Sequence, residues 1–108
     1  MAGRITRGDV WLYTFKKPDE QRPVVILTRP EVIGLLDTVT VAPITSTIHG
    51  APSEVVIGHE EGLKHDSAVN LDHIQTVQQA QLHSFLGRLG PKKMHDVCRA
   101  GAIALGCR

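Results

Sequence analysis

Aromatic residues are scarce in this chain: one tryptophan, one tyrosine and two phenylalanines, 4% of 108 residues. A surface that holds nucleobases chiefly by stacking has few rings to use here, so recognition of that kind must fall on hydrogen bonds and loops. Cysteine is equally sparse. Cys98 and Cys107 are the only two, which gives neither a disulfide framework nor a zinc pattern and fits a reducing cytoplasm. No apolar run approaches the ~18–20 residues that a membrane-spanning helix needs. The stretch Met1-Ala-Gly-Arg-Ile-Thr-Arg-Gly-Asp9 lacks the apolar segment of a signal peptide. The chain is therefore read as cytoplasmic, with no membrane partner. Histidines are present (His49, His59, His65, His73, His83 and His95), but no pair has the tight spacing of a helical or hairpin metal site. No metal and no cofactor are expected.

What remains is ordinary for a globular protein. The length suits one domain over 1–108 with a modest core. Hydrophobic residues make up 42% and charged residues 21%, so bulk disorder is excluded. The net charge of +1 conceals an asymmetry: residues 1–30 sum to +3 and the remainder to −2. A basic N-terminal third can draw in an anionic polymer, although mixed surface charge also accounts for it.

The pattern predicts many short strands and one helix. Asp9–Phe15 is rich in β-branched and aromatic residues and reads as a strand. Its Trp11, Tyr13 and Phe15 alternate onto one face, suited to core or dimer packing. Lys16–Gln21 is a proline-bearing turn. Val24–Thr28, apolar through Leu27, reads as a short strand buried on both faces. Pro30–Asp37 can open with one helical turn. Thr38–Ile44 is a central strand, with Pro43 at its end or at a bulge. Further strands are expected at Ser53–Ile57, Ser67–Leu71, Ile74–Val77 and Phe85–Leu89, with Gly87 a bulge or close-approach point. Gly90-Pro91 starts a C-terminal helix. Its apolar face is read as Met94, Val97, Cys98, Gly101, Ala104 and Leu105, which makes Cys98 a core residue. The fold expected is mainly β: a small, curled antiparallel barrel closed by the C-terminal helix, with one or two short helices besides.

Two constellations carry chemistry. Arg22-Pro23 places a permanent cation with planar, forked donors at the mouth of an apolar strand, a match for phosphate oxygens. A surface arginine paired to Asp19 or Glu20 is the alternative. Thr45, Ser46 and Thr47 supply three hydroxyls past the end of another strand, able to hold a phosphate or to satisfy their own loop. His49 follows two residues later and is a candidate proton shuttle. Lys16, Lys17 and Gln21 are candidate contacts to an anionic polymer beside Arg22.

With those residues in view, the chain resembles the MazF/PemK family of toxin ribonucleases from toxin–antitoxin pairs. The likeness runs in order through Arg7-Gly-Asp-Val-Trp11, Glu20-Gln-Arg-Pro-Val-Val-Ile-Leu27, Ala42-Pro-Ile-Thr-Ser-Thr47 and Asp66–Val77. It ends with Leu86-Gly-Arg-Leu-Gly-Pro91, Met94 and Ile103-Ala-Leu-Gly106. The resemblance implies a barrel related to SH3-like and CcdB-like folds and a homodimer. It further implies metal-independent cleavage of single-stranded RNA and an antitoxin with a disordered segment that folds on binding. It makes Arg22 and Thr45 the catalytic pair and Glu20 a further catalytic residue, with Lys16, Lys17, Gln21, Ser46, Thr47 and His49 contacting RNA. In one respect the chain departs from the family: Glu20-Gln21 abuts Arg22, where relatives commonly carry a longer, glycine-containing loop. The alternatives are a gyrase poison of the CcdB type and a non-catalytic nucleic-acid-binding barrel. The first depends on a Trp-Gly-Ile tail, where this chain has Gly106-Cys107-Arg108. The second has no need of Arg22 and Thr45 together.

Overall fold

The structure, a computed structural model, describes residues 4–14 and 21–107. Among these lie seven strands: β1 (Asp9–Thr14), β2 (Gln21–Ile26), β3 (Thr38–Thr45), β4 (Glu54–Ile57), β5 (Ser67–Asn70), β6 (Gln75–Gln78) and β7 (Leu82–Arg88). One helical turn, α1 (Pro30–Ile33), precedes β3, and a long helix, α2 (Pro91–Leu105), follows β7. All the strand pairs are antiparallel, in the order β4-β5-β3-β2-β1-β7, with β6 added on β3. This is the mainly β architecture with a C-terminal helix that the sequence led us to expect.

β3 holds the sheet together. Its first half pairs with β6 over Thr38–Val41 and its last two residues pair with β5 at Ile44 and Thr45. On its other side it pairs with β2 through Val41, Ala42 and Pro43. Pro43 therefore does not end the strand, as its missing N–H suggested. It lies between the last residue paired with β6 and the first paired with β5, where one ladder has stopped and the next has not begun. β7 likewise starts at Leu82 rather than Phe85, because its polar His83 and Ser84 lie on an exposed edge where apolar alternation is not required.

Alternation sends the buried side chains to two cores. Val10, Val25, Ala42, Ile44, Val55 and Val69 face α2 and pack with its Val97 and Ala100. Trp11, Val24, Ile26, Val39, Val41 and Val77 form a second cluster on the other face. Val24, Val25 and Ile26 are all fully buried, so the short apolar run is covered on both sides, as its composition indicated. Each such residue contributes about 1.5–3 kcal/mol of burial.

Pro91 stands at the first position of α2, its φ already suited to a helix. Gly106 ends the helix at φ +75°, and Cys107 N–H reaches Ala102 O at 2.7 Å, a left-handed cap that glycine adopts without a Cβ penalty. The buried stripe of α2 is rotated from the one expected. Val97 and Ala100 are buried, while Cys98 is exposed and Leu105 is 70% exposed. Cys98 is thus not a core residue; its Sγ lies 3.1 Å from an Arg7 guanidinium nitrogen at the flank of the helix. The reason is geometric: positions 97, 100, 101 and 104 make one i, i+3, i+4, i+7 stripe, and Cys98 falls beside it.

Gly87 is a point of close approach. A Cβ there would lie 2.2 Å from the Glu61 carbonyl oxygen, in the turn that runs beneath β7. Gly87→Ala is expected to cost about 1–3 kcal/mol by overpacking against backbone that has no rotamer to give. Urea unfolding measures this, and a midpoint equal to the unsubstituted chain's would refute it.

Candidate active site

Arg22 lies within β2, not just outside it as its place before Pro23 suggested, and faces Tyr13 on β1. Proline is tolerated at position 23 because it comes near the start of the strand. The β2–β3 ladder pairs Ile26 with Val41, Val25 with Ala42 and Val24 with Pro43. The ladder ends there, two residues short of Arg22 on β2 and of Thr45 on β3. Thr45 is in turn paired with Ala68 of β5. Tyr13 and Arg22 are thus a cross-strand pair, and Thr45 lies on the neighbouring strand two residues beyond the last β3 residue paired with β2.

Period-two alternation also fixes the face. Arg22 follows Val24 and Ile26, and Thr45 follows Val39, Val41 and Pro43, so both belong to the face away from α2. Arg22 is exposed and Thr45 is half-buried. The Thr45 Oγ1 accepts a hydrogen bond from Thr47 N–H at 3.2 Å. This uses a lone pair and leaves the hydroxyl proton free to be donated elsewhere.

The other expected site residues divide. Ser46, Thr47 and His49 lie on the exposed 46–53 loop that leaves Thr45. Gln21 is exposed beside Arg22, but alternation along β2 turns it to the opposite face. Lys16, Lys17 and Glu20 lie outside the described residues, as does Phe15. Of the aromatic trio, Trp11 is buried and Tyr13 half-buried, its hydroxyl 2.9 Å from the Gln81 side-chain oxygen. Tyr13 was read as packing, yet it flanks Arg22; its alternation with Trp11 was visible, but not which strand would pair beside it. Among the described residues, no group of three or more His, Cys, Asp or Glu side chains converges as a metal site. A groove of about 380 Å³ between β4 and α2 is lined by residues that include Val56, Lys93, Arg99 and Ile103, and by neither Arg22 nor Thr45. Arg22, exposed, and Thr45, half-buried, lie apart from that groove.

A curled antiparallel sheet backed by one long C-terminal helix defines a small, mainly β domain. The comparisons agree in detail. The model of the PemK-like, MazF-like toxins of type II toxin–antitoxin systems matches residues 6–105. The chain is 40% identical over 108 residues to a protein named "Probable endoribonuclease MazF5" from Mycobacterium tuberculosis (strain ATCC 25618 / H37Rv), covering 99% of this chain and 98% of that one. Among solved structures, the Mycobacterium tuberculosis toxin MazF-mt6 superposes with a TM-score of 0.85 at 33% identity, over 93% of this chain and 98% of that one. A mycobacterial endoribonuclease in complex with its cognate antitoxin superposes with a TM-score of 0.87 at 25% identity, over 97% and 98%. The chain belongs to the PemK/MazF family of type II toxins.

Proposed function

We propose that this chain is a sequence-specific endoribonuclease, the toxin of a type II pair, that cuts single-stranded RNA in the cytoplasm without a metal ion. The observation that supports the reading is that Arg22 and Thr45 lie on adjacent strands, β2 and β3, each two residues beyond the last pair of their ladder and on the same face by alternation. Family membership and the names of its relatives support it.

In the proposed reaction the ribose 2′-oxygen attacks the adjacent phosphorus. Its proton passes to a base, the bond from phosphorus to the 5′-oxygen breaks, and that oxygen takes up a proton. The products are a 2′,3′-cyclic phosphate and a 5′-hydroxyl. Charge accumulates on the non-bridging oxygens in the transition state. Arg22 offsets it with a guanidinium that remains protonated throughout, and so acts by electrostatics rather than by proton transfer. Thr45 donates its hydroxyl proton to one of those oxygens. Glu20 and His49 are the candidate bases. Bases of the splayed strand lie along the 46–53 loop and the Tyr13 side of Arg22. The active species is a homodimer, and its antitoxin is a small protein with a segment that folds as it covers the groove.

Incubation of the purified chain with a long, defined RNA and a chelator tests the reading. The expected result is cleavage at a recurring short motif, unaffected by chelator, leaving cyclic-phosphate ends and abolished by 2′-deoxy substitution at the cut. Chelator-sensitive cutting, or 5′-phosphate products, would overturn the mechanism. Gyrase inhibition without RNA cleavage, or RNA retention without cutting, would replace the function altogether.

A further inference from the structure

The 46–53 loop is tied at both ends. At its start the Thr45 hydroxyl accepts from Thr47 N–H. At its end one carboxylate oxygen, Glu54 Oε1, accepts from three successive backbone N–H groups: His49 at 3.0 Å, Gly50 at 2.9 Å and Ala51 at 3.4 Å. Gly50 has φ +75°, the left-handed value that turns successive N–H groups toward a common point. Glu54 N–H closes the turn back onto Ala51 O at 3.0 Å. Between these two anchors Ser46, Thr47 and Ile48 are exposed, and Ile48 presents an apolar side chain 42% open to solvent.

We propose that Glu54 is the positioning residue of the substrate loop: its carboxylate holds the 49–51 backbone so that Ser46, Thr47 and Ile48 stand beside Thr45 in a fixed arrangement. The inference rests on the ribonuclease reading above. Hydrogen bonds to an ionised acceptor are about twice as strong as neutral ones. Three donors on one carboxylate oxygen therefore restrain this segment more firmly than its few side-chain contacts can. Without the carboxylate, three N–H groups turn to water and the loop samples many conformations, which RNA must then reorder on binding. Because the loop contacts nucleotides flanking the reacting phosphate, the loss falls on binding more than on the chemical step.

Steady-state cleavage of a defined unstructured RNA by Glu54→Ala and Glu54→Gln tests this, alongside amide hydrogen exchange at His49, Gly50 and Ala51. In Glu54→Ala we expect KM to rise about 10-fold with kcat within about 3-fold of the unsubstituted enzyme, as removal of uniform binding requires. Exchange at the three amides should quicken together. Glu54→Gln keeps an oxygen acceptor without the charge, and should restore most of the KM and part of the protection. Should Glu54→Ala not fold, Glu54→Gln decides: a small rise in KM with faster exchange supports the role. Unmoved KM and exchange in the variants that fold, or a fall in kcat at constant KM, overturns it. An unsubstituted enzyme that cuts no RNA would instead overturn the ribonuclease reading, and with it the substrate role of the loop.

Discussion

Replacement of Arg22 by alanine is expected to lower RNA cleavage by at least about 10³-fold while leaving the fold intact. A single preorganised donor facing a developing oxyanion is worth ~10²–10³ in rate, and Arg22 supplies both a fork of donors and a full charge. The side chain is exposed, with Val24, Val25 and Ile26 of the same strand fully buried. Its loss therefore removes chemistry without opening the core. Arg22→Lys should recover only a fraction of the activity, because a single ammonium cannot span two phosphate oxygens. Thr45→Ala should lose about 10²-fold and Thr45→Ser much less, since serine keeps the proton that is donated. Single-turnover rates on a defined RNA, with circular dichroism to confirm the fold, measure all four variants. Cleavage by Arg22→Ala at the unsubstituted rate would refute the assignment.

The largest stability effect is expected at Asp9. This carboxylate is fully buried, yet every neighbour donates to it: Thr6 N–H at 2.9 Å and Trp11 Nε1–H at 3.2 Å on one oxygen, Arg88 Nε–H at 2.8 Å on the other. The arrangement knits the entry of β1 to the end of β7, where Arg88 also lies 5.5 Å over the Phe85 ring and Phe85 packs edge-on to Trp11. Asp9→Ala would strand the Trp11 indole N–H and the Thr6 amide, at about 1–3 kcal/mol for each donor left without a partner in the interior. The Arg88 side chain is 59% exposed, so its charge can turn to water and adds little. A total near 3 kcal/mol is a large part of the ~5–15 kcal/mol that holds a domain of this kind together. Urea denaturation should show a much lower midpoint with an unchanged slope. A loss below about 1 kcal/mol would show that these donors find water or other acceptors.

The sequence and the structure agree most closely where a residue's environment is set by its own neighbours in the chain. The Val24–Ile26 run and the Pro91 start of α2 could both be read locally, because each follows from side-chain character or a fixed φ. Disagreement arises where a distant partner decides. Cys98 has helical spacing compatible with the core, and only the docking angle of α2 on the sheet turns it out toward Arg7. Pro43 reads as a strand end until β5 takes over from β6 along β3. The candidate site follows the same division. Arg22 and Thr45 were singled out from their residue types, but their placement on adjacent strands is a property of strand order, which no local pattern contains. Glu54 gave no signal, since a glutamate opening a strand looks like any solvated charge until three amides point at it.

The placement of Arg22 and Thr45 has a further consequence for the timing of toxicity. On the proposed assignment the two residues stand on adjacent strands, β2 and β3, rather than on a loop, so an unfolded chain has the right residues and no site. A slip of one residue between those strands would turn one of the pair toward α2. On that assignment, the newly made chain is inert until its sheet is in register. On the same assignment, the step that arms the chain also completes the groove that the proposed antitoxin covers, so activity and the means of its inhibition arise together.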